Sequence, residues 1–140
     1  MMVSTKGRYA IRVMVDLAEQ KTDSYIPLTE VAQRQQISEK YLESIVSVLS
    51  KSGLVDSLRG KGGGYRLNRP ANQYTVGEIL RVIEGSMAPV ACLGKPVNDC
   101  PRLGECRTIN MWSGLYKLIN DYFDGITVAD LAAQGGSQVL

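Results

Sequence analysis

Histidine is absent from all 140 residues, so the commonest general base and the commonest nitrogen ligand for a metal are both missing. Cysteine is absent everywhere except one fifteen-residue stretch that holds Cys92, Cys100 and Cys106. There is no Cys-x-x-Cys pair, the usual dithiol of a thiol oxidoreductase, and three thiols fall one short of the set a ferredoxin-like carrier uses. These absences predict a protein that is not an enzyme. No run of about eighteen apolar residues occurs, nor a basic-then-apolar leader ending in small residues, which predicts a cytoplasmic chain with no membrane span. In a reducing cytosol an odd number of closely spaced cysteines points to metal binding or redox sensing rather than to disulfides.

What is present suits one domain with a modest core: 44% of residues are apolar. The net charge of +2 is unevenly spread, for residues 1–74 carry eleven Lys/Arg against seven Asp/Glu, whereas residues 75–140 carry five against seven. The basic half is the one that faces a polyanion more readily. Ala10, Val13, Met14, Leu17 and Ala18 recur at helical spacing behind an expected N-cap at Thr5. Pro27 opens a short helix carrying Leu28, Val31 and Ala32. After Ile37, Ser38 caps a further helix whose inward stripe is Leu42, Ile45, Val46 and Leu49, with Gly53 as its stop. The opposite face carries Ser38, Lys40, Tyr41, Glu43, Ser44 and Ser47. Two short helices of this kind, the second polar on its outer side, describe a helix-turn-helix.

Residues 55–58 and 65–67 read as strands around the glycine-rich, cationic run Arg59-Gly60-Lys61-Gly62-Gly63-Gly64. This run is not a phosphate loop. Gly60-Lys61 is followed by Gly62, so the hydroxyl for magnesium is missing, and a strand rather than a helix comes next. A basic hairpin directly after a helix-turn-helix is a wing, with Arg59 and Lys61 supplying charge to a narrow minor groove. Thr75 caps a helix through Val76, Ile79, Leu80 and Ile83 that ends at Gly85. Beyond the cysteines, Ile109, Trp112, Leu115, Tyr116, Ile119, Tyr122 and Phe123 keep three-four spacing, a stripe expected to pack on the first helices and on a twofold partner. Residues 127–133 predict a last short helix before a loose Gly135-Gly136 tail. The fold class is mainly α with a small β-hairpin wing. The expected division is a winged helix-turn-helix DNA-binding domain over residues 1–74 and, over residues 75–140, the cysteine loop as a candidate cluster-binding loop with dimerisation helices, the long C-terminal one among them.

The cysteines follow the spacing Cys-x7-Cys-x5-Cys on a segment broken by Pro89, Gly94, Pro96, Pro101 and Gly104. Three soft thiolates on an irregular loop can hold a metal, and by spacing alone zinc suits nearly as well as an iron-sulfur cluster. Lys95, Arg102 and Arg107 favour the thiolate form. A fourth donor is not named by the pattern.

Ser4-Thr-Lys-Gly-Arg-Tyr-Ala10, Ser38-Glu-Lys-Tyr-Leu-Glu43, Gly53-Leu-Val55, Arg59-Gly-Lys-Gly-Gly-Gly-Tyr65 and Val76-Gly-Glu-Ile79, with the three cysteines and Trp112 after them, resemble the IscR type of winged-helix repressors over essentially the whole chain. That family includes iron-sulfur, nitric-oxide and cysteine-metabolism regulators. The resemblance implies a homodimer on a partly palindromic double-stranded DNA operator, with Ser38, Lys40, Tyr41 and Glu43 on the recognition helix and Arg59, Gly60 and Lys61 in the wing. It further implies a [2Fe-2S] cluster on Cys92, Cys100 and Cys106, and a repressor of iron-sulfur assembly genes. The alternatives are a nitric-oxide or redox sensor with a [4Fe-4S] cluster, and a zinc-bound or metal-free regulator of cysteine metabolism. The chain departs from the family at the fourth ligand. Ile109 stands where histidine would follow the last cysteine, and Arg8 stands where an acidic residue of the partner's first helix serves the nitric-oxide branch. Asn110, expected one helical turn after Cys106 on the same face, and Glu105 and Asp99 on the loop are the candidate oxygen donors for the fourth position.

Overall fold

The computed structural model describes residues 2–135. The expected loose tail lies outside the described residues from Gly136 onward. Six helices and one hairpin follow in the order α1 (Thr5–Glu19), α2 (Leu28–Gln35), α3 (Glu39–Lys51), β1 (Val55–Leu58), β2 (Gly64–Leu67), α4 (Val76–Glu84), α5 (Ile109–Asp124) and α6 (Val128–Gln134). Single 3₁₀ turns lie at Ala71–Gln73, Ala91–Leu93 and Leu103–Glu105. The expected mainly α architecture with a hairpin is the one observed.

The helices begin where hydroxyl or proline residues allow them to. Ser38 Oγ accepts from the Tyr41 amide at 3.1 Å and Thr75 Oγ1 from Glu78 at 3.0 Å, while Thr127 and Asp130 form a reciprocal capping box. The first helix is the exception to the sequence reading, for Ser4 and not Thr5 is its cap. Ser4 Oγ accepts from Gly7 at 3.0 Å and is itself held by the carboxylate of Glu84 at the far end of α4, which also takes the Ser4 amide at 3.1 Å. Helix α3 ends in a Schellman motif: Gly53 at φ +77° sends its amide to Ser50 O, and Leu54 N–H reaches Leu49 O at 2.9 Å.

One core joins the first three helices to the hairpin base, with Val13, Met14, Val31, Leu42, Ile45, Val46, Leu49 and Leu54 all buried. The strands pair antiparallel in the register Val55↔Leu67 to Leu58↔Gly64. Ile26 adds a short third edge by exchanging both backbone hydrogen bonds with Tyr65, at 2.8 and 2.9 Å. A Cβ on Gly64 would lie 2.1 Å from Ile26 O, so only glycine permits that approach. Buried Asp16 on α1 is the one charged residue in the core among the described residues. Arg34 Nε and Nη2 grip its carboxylate at 3.1 and 2.8 Å, Gln35 adds a third bond at 2.8 Å, and α2 is thereby locked to α1.

Tyr74, fully buried, ties the wing to the rest. Its hydroxyl faces Leu54 O at 2.8 Å and Asn68 Oδ1 at 2.9 Å and accepts from the Asn68 amide at 2.9 Å, while Arg69 stacks 4.4 Å over its ring. The N-termini of α4 and α6 lie side by side through the Thr75↔Thr127 bridge, which folds α6 back onto α1. A second apolar cluster forms where Tyr116, Ile119 and Phe123 of α5 meet Val76 and Leu80 of α4 and Val3 and Ile11 near α1.

Candidate nucleic-acid interface and cysteine loop

The polar face predicted for α3 is outward. Ser38, Lys40, Glu43 and Ser44 are exposed and Ser47 is half-buried, while the inward stripe is wholly buried. Tyr41 differs from its neighbours. It is half-buried, with its ring edge-on to Tyr9 at 5.7 Å, and Arg12 lies 5.1 Å over the Tyr9 ring. One side of Tyr41 is therefore spent on packing, and its hydroxyl end is what remains to face outward. Arg12 also donates from Nε to Gln35 Oε1 at 3.1 Å and from Nη2 to the Gln35 carbonyl, so the turn between α2 and α3 is braced from α1.

In the wing, Arg59, Gly60 and Lys61 are all exposed at the hairpin tip. Gly60 and Gly62 have φ of +89° and +76°, and Gly63 N–H closes the turn on Gly60 O at 3.0 Å. Neither Arg59, Lys61 nor Lys40 joins an ion pair among the described residues, whereas Arg34, Arg66, Arg69 and Arg81 all do. Cations left free on α3 and at the hairpin tip are available to an anionic partner without first breaking a protein contact.

The cysteine loop runs over residues 85–108 between α4 and α5. All three thiols are free and part-exposed. Cys92 sits in the 3₁₀ turn Ala91–Leu93, and the amide of Cys100 donates to Asn98 Oδ1 at 3.0 Å. Cys106 lies two residues before Thr108, the N-cap of α5. Its Sγ is 3.5 Å from Thr108 Oγ1, and hydrogen bonds from the Thr108 side chain and backbone, with Arg102 nearby, hold the thiol below its ordinary pKa. Among the described residues no three His, Cys, Asp or Glu side chains are gathered as a metal-holding group. The donor chemistry nonetheless fits a soft centre at three positions: sulfurs free of disulfides and partly open to solvent, with Arg102 near that of Cys106.

The three oxygen donors are differently placed. Asp99 is paired with Lys95 Nζ at 3.0 Å, Glu105 is exposed at the end of its 3₁₀ turn, and Asn110 is exposed in the first turn of α5. Because Cys106 precedes the α5 cap, the one-helical-turn relation between Cys106 and Asn110 does not arise. Ile109 is half-buried, and Arg8 is exposed on α1, where its guanidinium bonds Thr5 Oγ1 at 3.1 Å.

Helix α5 departs from the single stripe read in the sequence. Tyr116, Ile119 and Phe123 face inward, while Met111, Leu115, Leu118 and Tyr122 stand 58%, 39%, 67% and 67% exposed. Their 4-3-4 spacing is a second apolar seam, legible in the sequence as a heptad but masked there by the inner one.

Comparison with known proteins agrees with this architecture. The family model of Rrf2, described as an iron-dependent transcriptional regulator, matches residues 3–134. The HTH-type transcriptional regulator IscR of Photobacterium profundum is 38% identical over all of this chain and 80% of its own length. That of Vibrio vulnificus is 39% identical over 94% of this chain and 77% of its own. Among solved structures, CymR, the global cysteine regulator of B. subtilis, superposes with a TM-score of 0.78 at 34% identity, covering 97% of this chain and 99% of its own. T. potens IscR gives 0.76 at 36% identity, covering 100% and 93%. Regulators of this family are not enzymes. With a helix-turn-helix, a hairpin wing and a match along nearly the whole chain, the protein belongs to the Rrf2 family of DNA-binding transcriptional regulators.

Proposed function

We propose that the protein is a homodimeric repressor of iron-sulfur assembly genes, whose operator binding responds to a [2Fe-2S] cluster on Cys92, Cys100 and Cys106. The observation that carries this reading is the pairing of a free cationic reading surface with three unpaired thiols on the loop joining α4 to α5. Ser38, Lys40, Tyr41 and Glu43 of α3 enter the major groove, and Arg59, Gly60 and Lys61 the minor groove. Lys40, Arg59 and Lys61 supply phosphate affinity. Glu43, repelled by phosphates but able to accept from a cytosine amino group, selects among operators.

The division of labour falls at residue 74: the part before it reads DNA, and residues 75–140 carry the sensing loop and the dimer seam. Met111, Leu115, Leu118 and Tyr122 suit a self-complementary helix pair about a twofold axis, which matches a partly palindromic operator. The cluster supplies a redox-active, removable centre of positive charge for thiolates. Holding it requires Cys92, Cys100 and Cys106 to be drawn together, so binding and loop ordering are one process. The loop leads directly into α5, and a change in its set alters the spacing of the two recognition helices. With Ile109 unable to ligate, an oxygen donor such as Asn110, Glu105 or Asp99 completes the site, and the cluster is more labile than one held by histidine.

The test is the visible absorption of protein purified without oxygen, with iron and acid-labile sulfide measured beside a Cys92→Ala control. Equal iron and sulfide at about two per chain, lost in the control, supports the reading. A second reading, a metal-free regulator of cysteine metabolism in the cytoplasm, is favoured by the likeness to CymR and by thiols that are not gathered. A protein that stays colourless after reconstitution and carries no zinc by elemental analysis selects it.

A further inference from the structure

A cleft of about 610 Å³ lies at the base of the wing, on the far side of the hairpin from its tip residues in sequence, between the C-terminal end of α1, the following loop and the end of β2. Its lining mixes apolar atoms of Leu67 and of the nearly buried Leu17 and Ile26 with charges of both signs, Lys21 and Arg66 against Asp23 and Asp56. Arg69 also borders the cleft, but Glu78 takes its guanidinium through two bonds at 3.1 and 2.8 Å. The remaining four charges balance.

They are also incompletely used by the protein. Arg66 donates from Nη1 to the Asp23 carbonyl at 2.8 Å, stacks 4.3 Å over Tyr25, and approaches Asp56 only to 3.8 Å, while Asp56 Oδ1 accepts from Asn68 Nδ2 at 3.3 Å. Neither the Lys21 ammonium nor the Asp23 carboxylate joins an ion pair among the described residues. Lys21 stands at φ +48°, just after the end of α1, a left-handed position where glycine is the ordinary occupant. The backbone there gains nothing from a lysine.

We infer that this cleft is a binding site for a small zwitterion, an aliphatic α-amino acid, with its carboxylate at Lys21 and Arg66, its ammonium at Asp23 and Asp56, and its side chain against Leu17, Ile26 and Leu67. The volume is within the range of small-ligand sites and exceeds what one amino acid needs, so ordered water fills the remainder. Because Asp56 and Arg66 are paired strand residues and Ile26 is bridged to Tyr65, a ligand here bears on the hairpin that carries Arg59 and Lys61. That regulatory consequence rests on the wing reading; the binding itself does not.

The experiment is an amide NMR titration of the full chain, free of DNA, with L-leucine, and with isocaproate and isoamylamine as analogues that lack the ammonium and the carboxylate. The expected result is shifts concentrated at residues 17–26 and 66–71, with a Kd on the order of 1 mM. Each analogue, and the Asp23→Asn variant with L-leucine, should bind at least about tenfold more weakly. Lys21→Gly relieves the left-handed backbone while removing the ammonium, so it should keep or raise Tm and still weaken binding. Shifts that are absent or lie elsewhere, or analogues that bind as well as L-leucine, would overturn the inference. A change in operator affinity on adding L-leucine would extend it to the wing.

Discussion

Individual side chains in this protein divide into those that hold the proposed DNA-reading surface and those the proposal leaves free to read. Tyr74 belongs to the first group. Burial raises its phenol pKa, against hydrogen bonds from Asn68 and Arg69 that lower it. A folded pKa above the ordinary value of about 10 means that the contribution is complete below that pH and is lost as pH climbs through the folded value. Tyr74→Phe should therefore cost about 1–3 kcal/mol at neutral pH, since Leu54 O and the Asn68 amide lose their partner, and denaturant melts should show a smaller decline above pH 10 than in the unaltered protein. Arg59 belongs to the second group. Arg59→Ala should weaken operator binding by about 1–3 kcal/mol and reduce the slope of affinity against salt, while leaving Tm unchanged. Unchanged affinity across salt would remove the wing from the interface. None of the buried pairing around Asp16 was legible in sequence, because nothing local to that residue says that Arg34 and Gln35, a helix away, reach back to it.

At the scale of elements, the sequence was most legible where local rules act alone. The stripe of α3, its Ser38 cap and its Gly53 stop are all set within one helix, and each is found where the pattern put it. Ser38→Ala should destabilise the fold by about 1 kcal/mol and loosen the start of α3, seen as faster amide exchange at Glu39, Lys40 and Tyr41. Exchange no faster than in the unaltered protein would mean that packing of Tyr41 on Tyr9 holds the helix start without its cap. Where a long-range partner decides, local rules fall short. Two adjacent hydroxyls compete to cap α1, and Glu84, eighty residues away, settles it for Ser4. The stripe of α5 misled in the same way: two apolar seams share one helix, and periodicity merges them into one until α4 shows which side it covers.

The whole molecule places the proposed reading surface on one part of the chain and the thiols on another, linked by helices that share two cores. Its outer α5 seam is what the dimer proposal rests on. Leu118→Asp puts a charge in the middle of that seam without touching the inner face, and sedimentation should find monomers at micromolar concentration with helical content retained. A dimer of unchanged strength would place the interface elsewhere. The likeness along the whole chain to regulators named for both IscR and CymR leaves the nature of the signal as the question that matters most. By linkage, an occupied thiol loop alters DNA affinity only as far as it favours one set of the helices over the other. The direct measurement is the affinity of one partly palindromic operator for protein loaded with iron and sulfide without oxygen, for the same protein stripped of iron, and for Cys106→Ala. The account predicts a difference of at least about fivefold between loaded and stripped protein that disappears in the variant. Equal affinities in all three would contradict it.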